Sequence, residues 1–257
     1  METAAPVLYH LQISHYNEKA RWALDHKGVA HVRKAPPPMM HTLVAYAMTR
    51  SPTLPILAMN GEKIGDSTRI IEALERRYPE PPLYPSDEVE RRRALELEDF
   101  FDVELGPHIR RALFSEVTRD NDALALAAAP RAGRRAHRMW RAAAPAAAPV
   151  LRLRYGIKHD TAEIGRAKTT AALDRVSSEL GPSGYLVGDG FTVADLTAAS
   201  LFYPLVLPAE GPVRSELPAT FARFREPLKG RRGFRWVEDM FRRHRRGAPG
   251  AIAAPGS

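Results

Sequence analysis

The sequence predicts an α/β domain followed by an all-α domain. Three observations carry this. Residues 8–24 (LYHLQISHYNEKARWAL) read as a short apolar strand that passes through a turn holding Ser14 straight into an amphipathic helix. Residues 55–74 (PILAMNGEKIGDSTRIIEAL) repeat the theme as strand, Asn60-Gly61 turn, strand and helix, with Asp66 and Ser67 at the helix start. Beyond a proline run at residues 79–85 (PEPPLYP) no strand pattern recurs.

The elements follow in order. Residues 7–11 are a buried strand, and Tyr16, Ala20, Ala23 and Lys27 share one face of the helix after it, with Leu24 at the edge. After Gly28, residues 29–33 can pair as a second strand, prolines 36 to 38 end it, and residues 40–48 suit a short helix, completing a βαβ unit. Residues 54–59 and 62–65 flank an Asn-Gly dipeptide, a strong hairpin signal because both central residues must take positive φ. Residues 68–77 then form a helix with Ile70, Ile71 and Leu74 inward. The order βαβαββα is that of a thioredoxin-like domain, a mixed sheet covered by helices.

Four prolines in residues 79–85 end the helix and force extended chain, so residues 1–78 make the first domain and 79–86 the linker. Residues 87–246 make an all-helical bundle. A stripe at Ala94, Leu97, Phe101, Leu105, Ile109 and Leu113 marks one long helix over 87–117, kinked at Pro107. Thr169, Leu173, Val176 and Leu180 mark another, residues 131–144 a third bounded by prolines, and residues 234–244 a terminal one. Residues 247–257 lack an apolar period and read as a disordered tail.

Composition narrows the function. With no cysteine, the protein forms no disulfide or thiolate metal site, and any thiol in its chemistry comes with a ligand. The nine histidines show no metal-ligand spacing beside carboxylates, so no metal is expected. No apolar run approaches the ~20 residues that span a bilayer, and residues 1–6 lack a signal-peptide pattern, so a cytoplasmic protein without membrane partners is expected. The net charge of +8 is mostly arginine. Arg131, Arg134, Arg138 and Arg141 form one helical face, and residues 242–246 form a second basic run. Without interleaved aromatics or a recognition motif, both are expected to be solvated faces, not nucleic-acid sites.

The two strand-to-helix junctions are the candidate site. Unpaired N–H groups and the positive end of the macrodipole converge at a helix start, so an anion such as a thiolate is stabilised beside the Ser14 hydroxyl. The ordinary alternative for Ser14 is a helix N-cap, and Tyr9 is a competing hydroxyl within the strand. No Ser-His-Asp arrangement follows merely from His10 and His15 flanking Ser14. In residues 191–196 (FTVADL), Thr192 and Asp195 have capping-box spacing and Phe191 and Leu196 the spacing of a hydrophobic staple, a structural signal.

Together the two junctions, Leu54-Pro55 before a strand, and the Thr192/Asp195 cap with Gly188 upstream resemble the cytosolic glutathione transferase family, serine-type. The resemblance covers most of the chain. It implies an enzyme that activates the glutathione thiol, as co-substrate, for attack on a small hydrophobic electrophile. It assigns Ser14 to the activating hydroxyl, which stabilises the thiolate and is not a covalent nucleophile. It also implies a cis bond before Pro55 with Leu54 giving main-chain contacts to the cysteinyl part of glutathione, and Asp66 and Ser67 holding its γ-glutamyl end. Asn17 stands where some relatives carry cysteine, and either bonds the sulfur or faces solvent. Thr53 departs from the family, in which lysine often holds the glycine carboxylate; His41 and Arg50 are the candidates to replace it. Phe101, His108 and Phe114 are candidates for lining the electrophile pocket, although core packing is the ordinary fate of phenylalanine. The family commonly forms homodimers. The rival expectation is a non-catalytic member that binds ligands or assembles with a protein partner.

Overall fold

The computed structural model describes residues 5–37, 40–130, 133–212, 216–245 and 251–252. The first part of the chain runs β1 (Val7–Tyr9), α1 (His15–His26), β2 (His31–Lys34), α2 (His41–Thr49), β3 (Ile56–Met59), β4 (Glu62–Gly65) and α3 (Ser67–Arg77). β1 pairs parallel with β2 (Val7 opposite Val32) and antiparallel with β3 (Val7 opposite Ala58), and β3 pairs antiparallel with β4. This is the expected mixed sheet. The second strand begins two residues later than expected because Gly28 takes φ 62° and the turn extends past it.

The helical part comprises α4 (Glu88–Phe100), α5 (Gly106–Val117), α6 (Asn121–Ala128), α7 (Arg134–Arg154), α8 (His159–Glu179), α9 (Val193–Val206), α10 (Ala219–Arg225) and α11 (Arg232–His244). The kink expected at Pro107 is a five-residue π segment, Phe101–Leu105, just ahead of it. A proline cannot donate to the preceding turn, so the ladder widens there. The expected stripe is buried from Ala94 to Ile109.

Other elements differ from expectation. α7 runs unbroken through Pro145 and Pro149. The two prolines lie four residues apart on an exposed face, so the carbonyls they leave unbonded face water, while alanines flank them and the preceding Ala144 and Ala148 are buried. α6 and α10 carried too few periodic residues to be read. The tail is not featureless, since Ala251–Ile252 forms β5, parallel to β2 (His31 opposite Ala251); residues 247–250 and 253–257 lie outside the described residues.

α1 departs most from its simple amphipathic reading. It packs against α3 and α9, and ten of its twelve residues are buried. Its charged side chains survive burial by pairing: Lys19 with Glu98 (2.8 Å) and Asp102 (2.6 Å), and Glu18 with Arg21 (2.7 Å) and Arg245 (2.6 Å). Arg245 also reaches Asp25 at 2.7 Å, so the basic run at 242–246 is not a uniformly solvated face. Trp22 completes the contact, its ring 4.6 Å from Phe241 and 5.6 Å from Phe191. Phe191 is thus committed to Trp22 and to His244, on which it stacks at 4.4 Å.

At the head of α9 the capping box forms. Thr192 N–H and Oγ1 each donate to Asp195 Oδ2 at 2.9 Å, and Leu186 N–H donates to Oδ1 at 2.9 Å. Burial raises the Asp195 carboxyl to about 6 against these bonds, and its surroundings are structural.

Candidate active site

A cleft of about 460 Å³ opens between the sheet domain and the helical domain. Its floor is the β1–α1 turn. Ser14 stands at the N-cap position of α1 with extended backbone (φ −80°, ψ 128°), but its side chain makes no cap bond. Asn17 instead donates Nδ2–H to Ser14 Oγ at 2.7 Å and to the Leu54 carbonyl at 3.2 Å, while its Oδ1 accepts from Leu11 N–H at 3.0 Å. The Leu11 contact fixes which end of the amide faces Ser14. An amide nitrogen only donates, so Ser14 Oγ is an acceptor here and its own proton is left for another partner. Asn17 is fully buried, absent from the cleft lining and used at both ends, so it stands behind Ser14 as a strut.

The other hydroxyls and the flanking imidazoles are engaged elsewhere. Tyr9 packs in the cluster of Ala45, Leu54 and Ile56. Tyr16 lines the cleft, but its hydroxyl donates to the Asp102 carbonyl at 2.7 Å; burial, then Asp102, pushes its phenol well above the usual range. A Cβ at residue 106 would overlap that hydroxyl, which is why glycine opens α5. His15 is buried with Nε2 3.0 Å from the Gly106 carbonyl, and burial together with Arg110 lowers it to about 3, so it is the neutral Nε2–H tautomer. His10 Nδ1 accepts from Arg21 at 2.8 Å.

The second junction faces the same cleft. The Leu54-Pro55 peptide is cis, as expected from the resemblance, and Thr53, Leu54 and Pro55 line the wall. Asp66 has φ 76° and ψ 134°, a conformation that costs an L-residue of order 1–3 kcal/mol and tends to persist at functional sites. Its Oδ1 caps α3 by accepting from Thr68 N–H at 2.9 Å and Arg69 N–H at 3.3 Å, leaving Oδ2. Ser67, the first residue of α3, is 3% exposed and lines the cleft. Behind them Thr68 Oγ1 meets Asp102 Oδ2 at 2.8 Å beside the Lys19 pair, which anchors this junction to the π segment.

His41 also lines the cleft, its imidazole lowered by burial and then by Arg154. Arg50 does not. It is the left-handed residue that ends α2 (φ 59°), and its guanidinium lies 6.0 Å from the Tyr46 ring on the outer face of that helix. Arg154, which sequence reasoning missed, lines the cleft from the end of α7, donating to Thr42 Oγ1 at 2.7 Å and to the Pro52 carbonyl at 3.2 Å. The sequence pattern ends this helix at residue 144, ten residues short of Arg154, so nothing local marks it.

The helical side of the cleft is mostly apolar, with Leu113, Phe114, Val117, Tyr155 and Leu207 prominent, and Arg110 beside them. Of the three residues expected to line it, only Phe114 does. Phe101 is fully buried in the core with Phe202, and His108 lies outside the lining because α5 turns it toward α8. On the basic face of α7, Arg134 and Arg138 are exposed and Arg141 pairs with Asp122 at 3.1 Å, while Arg131 lies outside the described residues. Among the described residues no group of His, Asp and Glu could hold a metal ion, and no helix is long and apolar enough to cross a membrane.

Comparison with known proteins fits this geometry. Residues 8–82 match the family model for the glutathione S-transferase N-terminal domain, and residues 139–228 the model for the glutathione S-transferase C-terminal domain. No curated protein sequence matches the chain. Among solved structures, a glutathione S-transferase from Rhodospirillum rubrum F11 is 23% identical, with 90% of this chain and 91% of that chain covered and a TM-score of 0.56. One from Methylobacterium radiotolerans, in complex with glutathione sulfonate, is 21% identical over 90% and 93%, with a TM-score of 0.56. The β-etherase LigF from Sphingobium is 18% identical over 91% and 99%, with a TM-score of 0.60. At these identities the structures speak to the fold, and the family models lie on the two domains that enclose the cleft. The chain belongs to the glutathione S-transferase family.

Proposed function

We propose that the protein is a cytoplasmic glutathione transferase that activates the glutathione thiol for attack on a small hydrophobic electrophile. The observation that carries this is the Ser14 hydroxyl, an acceptor toward Asn17 and so a donor toward the cleft. There it stabilises a thiolate at the start of α1; the thiol proton leaves to solvent, the sulfur bonds to carbon, and the leaving group departs with its electron pair. Ser67 and the N–H groups of α3 suit the γ-glutamyl carboxylate, Asp66 Oδ2 the α-ammonium, and Leu54 the cysteinyl main chain. His41 and Arg154 stand in for the lysine absent at Thr53 in holding the glycine carboxylate. The relative bound to glutathione sulfonate supports this ligand.

Ser14→Ala tests the reading. Lowering a thiol pKa by two units is worth about 2.7 kcal/mol, so kcat/KM with 1-chloro-2,4-dinitrobenzene should fall roughly 100-fold below the thiol pKa while retention on immobilised glutathione persists. Full activity in the variant refutes the role given to Ser14.

A second reading, a non-catalytic ligand-binding or assembly member of the family, draws support from Thr53 and from Arg50 lying off the cleft. Retention on glutathione without conjugation of any aryl halide would select it. Either form is proposed to be a homodimer, and the exposed Val89, Leu95 and Val103 on α4 and the π segment are apolar surface for such a contact. A monomer by light scattering overturns that.

A further inference from the structure

Arg110 is unlike the arginines of the α1 seam and the other arginine of the cleft wall. Arg21 and Arg245 are tied to carboxylates, and Arg154 is fixed to Thr42 and Pro52. Arg110 makes no ion pair or hydrogen bond with any described residue, and its Nε is buried without a partner. It lines the cleft from α5, in the apolar half, with its guanidinium carbon 4.8 Å from the centroid of the Tyr155 ring, which packs edge-on to Phe114 at 5.5 Å. The acidic groups of the cleft do not answer it. Asp102 gives Oδ2 to Lys19 and Thr68 while its buried Oδ1 meets no donor, Arg110 included, Asp66 caps α3, and Glu216 is exposed. Arg110 does act electrostatically on His15 and Tyr16, the two residues after Ser14, so it stands close to where the sulfur is proposed to react.

A guanidinium set in an apolar wall with its Nε buried and unpartnered is costly unless an anion meets its charge, and its two Nη groups offer parallel N–H donors that match a carboxylate. We propose that the electrophile is an aromatic carboxylate, its acid group held by Arg110 and its ring set against Phe114 and Tyr155. This rests on the transferase reading above and names the substrate class for the same site. In the reaction the thiolate of glutathione bonds to the ring carbon that carries the leaving group, the carbon–halogen bond breaks with halide taking the electron pair, and the carboxylate is unchanged.

The test compares 4-chloro-3-nitrobenzoate with its methyl ester, each rate divided by the uncatalysed rate with glutathione. A charge-assisted hydrogen bond is worth enough for the corrected kcat/KM of the acid to exceed that of the ester by about 10-fold or more, through KM. In Arg110→Met this ratio should fall to about one, and Arg110→Lys should keep part of it; a merely structural role for Arg110 would lower both substrates alike and leave the ratio intact. A second arm needs no turnover: calorimetric binding of 4-nitrobenzoate against methyl 4-nitrobenzoate should show the same preference and the same loss in Arg110→Met. No preference in the wild-type protein, or a preference that survives Arg110→Met, overturns the proposal even where conjugation proceeds. Absence of conjugation with a preserved binding preference overturns the transferase reading and leaves the carboxylate anchor standing.

Discussion

Ser14 and Asn17 act as a pair, and the direction of the hydrogen bond between them decides what Ser14 can do. Asn17→Asp preserves shape and can still accept from Leu11 N–H, but a carboxylate would take the Ser14 proton where the amide gives one. Its kcat/KM should therefore fall nearly as far as that of Ser14→Ala, with the rise of rate with pH displaced to the alkaline side. A wild-type pH profile in Asn17→Asp would show that the hydroxyl orientation does not matter. Ser14, Asp66 and Ser67 sit at strand–helix junctions that local sequence defines, so their place beside the cleft was legible, whereas Leu54-Pro55 and the ligand roles came from the resemblance to the family. Asn17 was not, since an amide in the first turn of a helix reads the same whether it supports a neighbour or meets a ligand. Arg50 failed as a candidate because a left-handed cap turned it onto Tyr46, and Arg110 and Arg154 were invisible because only the rotation of α5 and the full length of α7 aim them at the cleft.

At the scale of elements, burial sets the limits of pattern reading. α3 has apolar residues on one side only and was read almost to the residue, whereas α1 is enclosed and hides charges inside ion pairs that no periodicity reveals. Those pairs fasten the end of α11 to α1, which gives a stability prediction. Arg245 is 6% exposed and meets both Glu18 and Asp25, so Arg245→Met leaves these buried carboxylates with Arg21 and Arg33 as their remaining partners and should cost about 1.5–3 kcal/mol. Arg242, three residues earlier and exposed, pairs among the described residues with Asp239 alone, and Arg242→Met should change stability by less than about 0.5 kcal/mol. Urea denaturation of both variants measures the contrast, and equal effects would mean that the buried pair contributes no more than the surface one. α7 teaches the complementary lesson, that prolines on an exposed face need not end a helix.

At the scale of the molecule, two domains share a buried, charged seam, and the seam makes the protein sensitive to acid. His15 lies in it with an imidazole lowered to about 3 by burial and then by Arg110, and His26 is lowered to about 4 by burial, then Lys27 and His244. An unfolded chain takes up protons on both near pH 6.5, whereas the folded protein refuses them until the pH approaches 4 and then 3. The unfolded state thus binds more protons in this window, and stability present above about pH 6.5 is lost as the pH falls through it, by roughly 1.4 kcal/mol per pH unit for a fully buried group such as His15. Glu18, held below the usual carboxylate range by Arg21 and Arg245 against its burial, adds loss of the same sign at lower pH. His15→Gln keeps a side-chain N–H for the Gly106 carbonyl but cannot titrate. Its melting temperature should fall less steeply between pH 6.5 and 4 than that of the wild-type protein, as followed by circular dichroism at fixed ionic strength. Parallel slopes for the two proteins would mean that His15 charges without opening the seam, and that the contact between α1 and the start of α5 is looser than its burial implies.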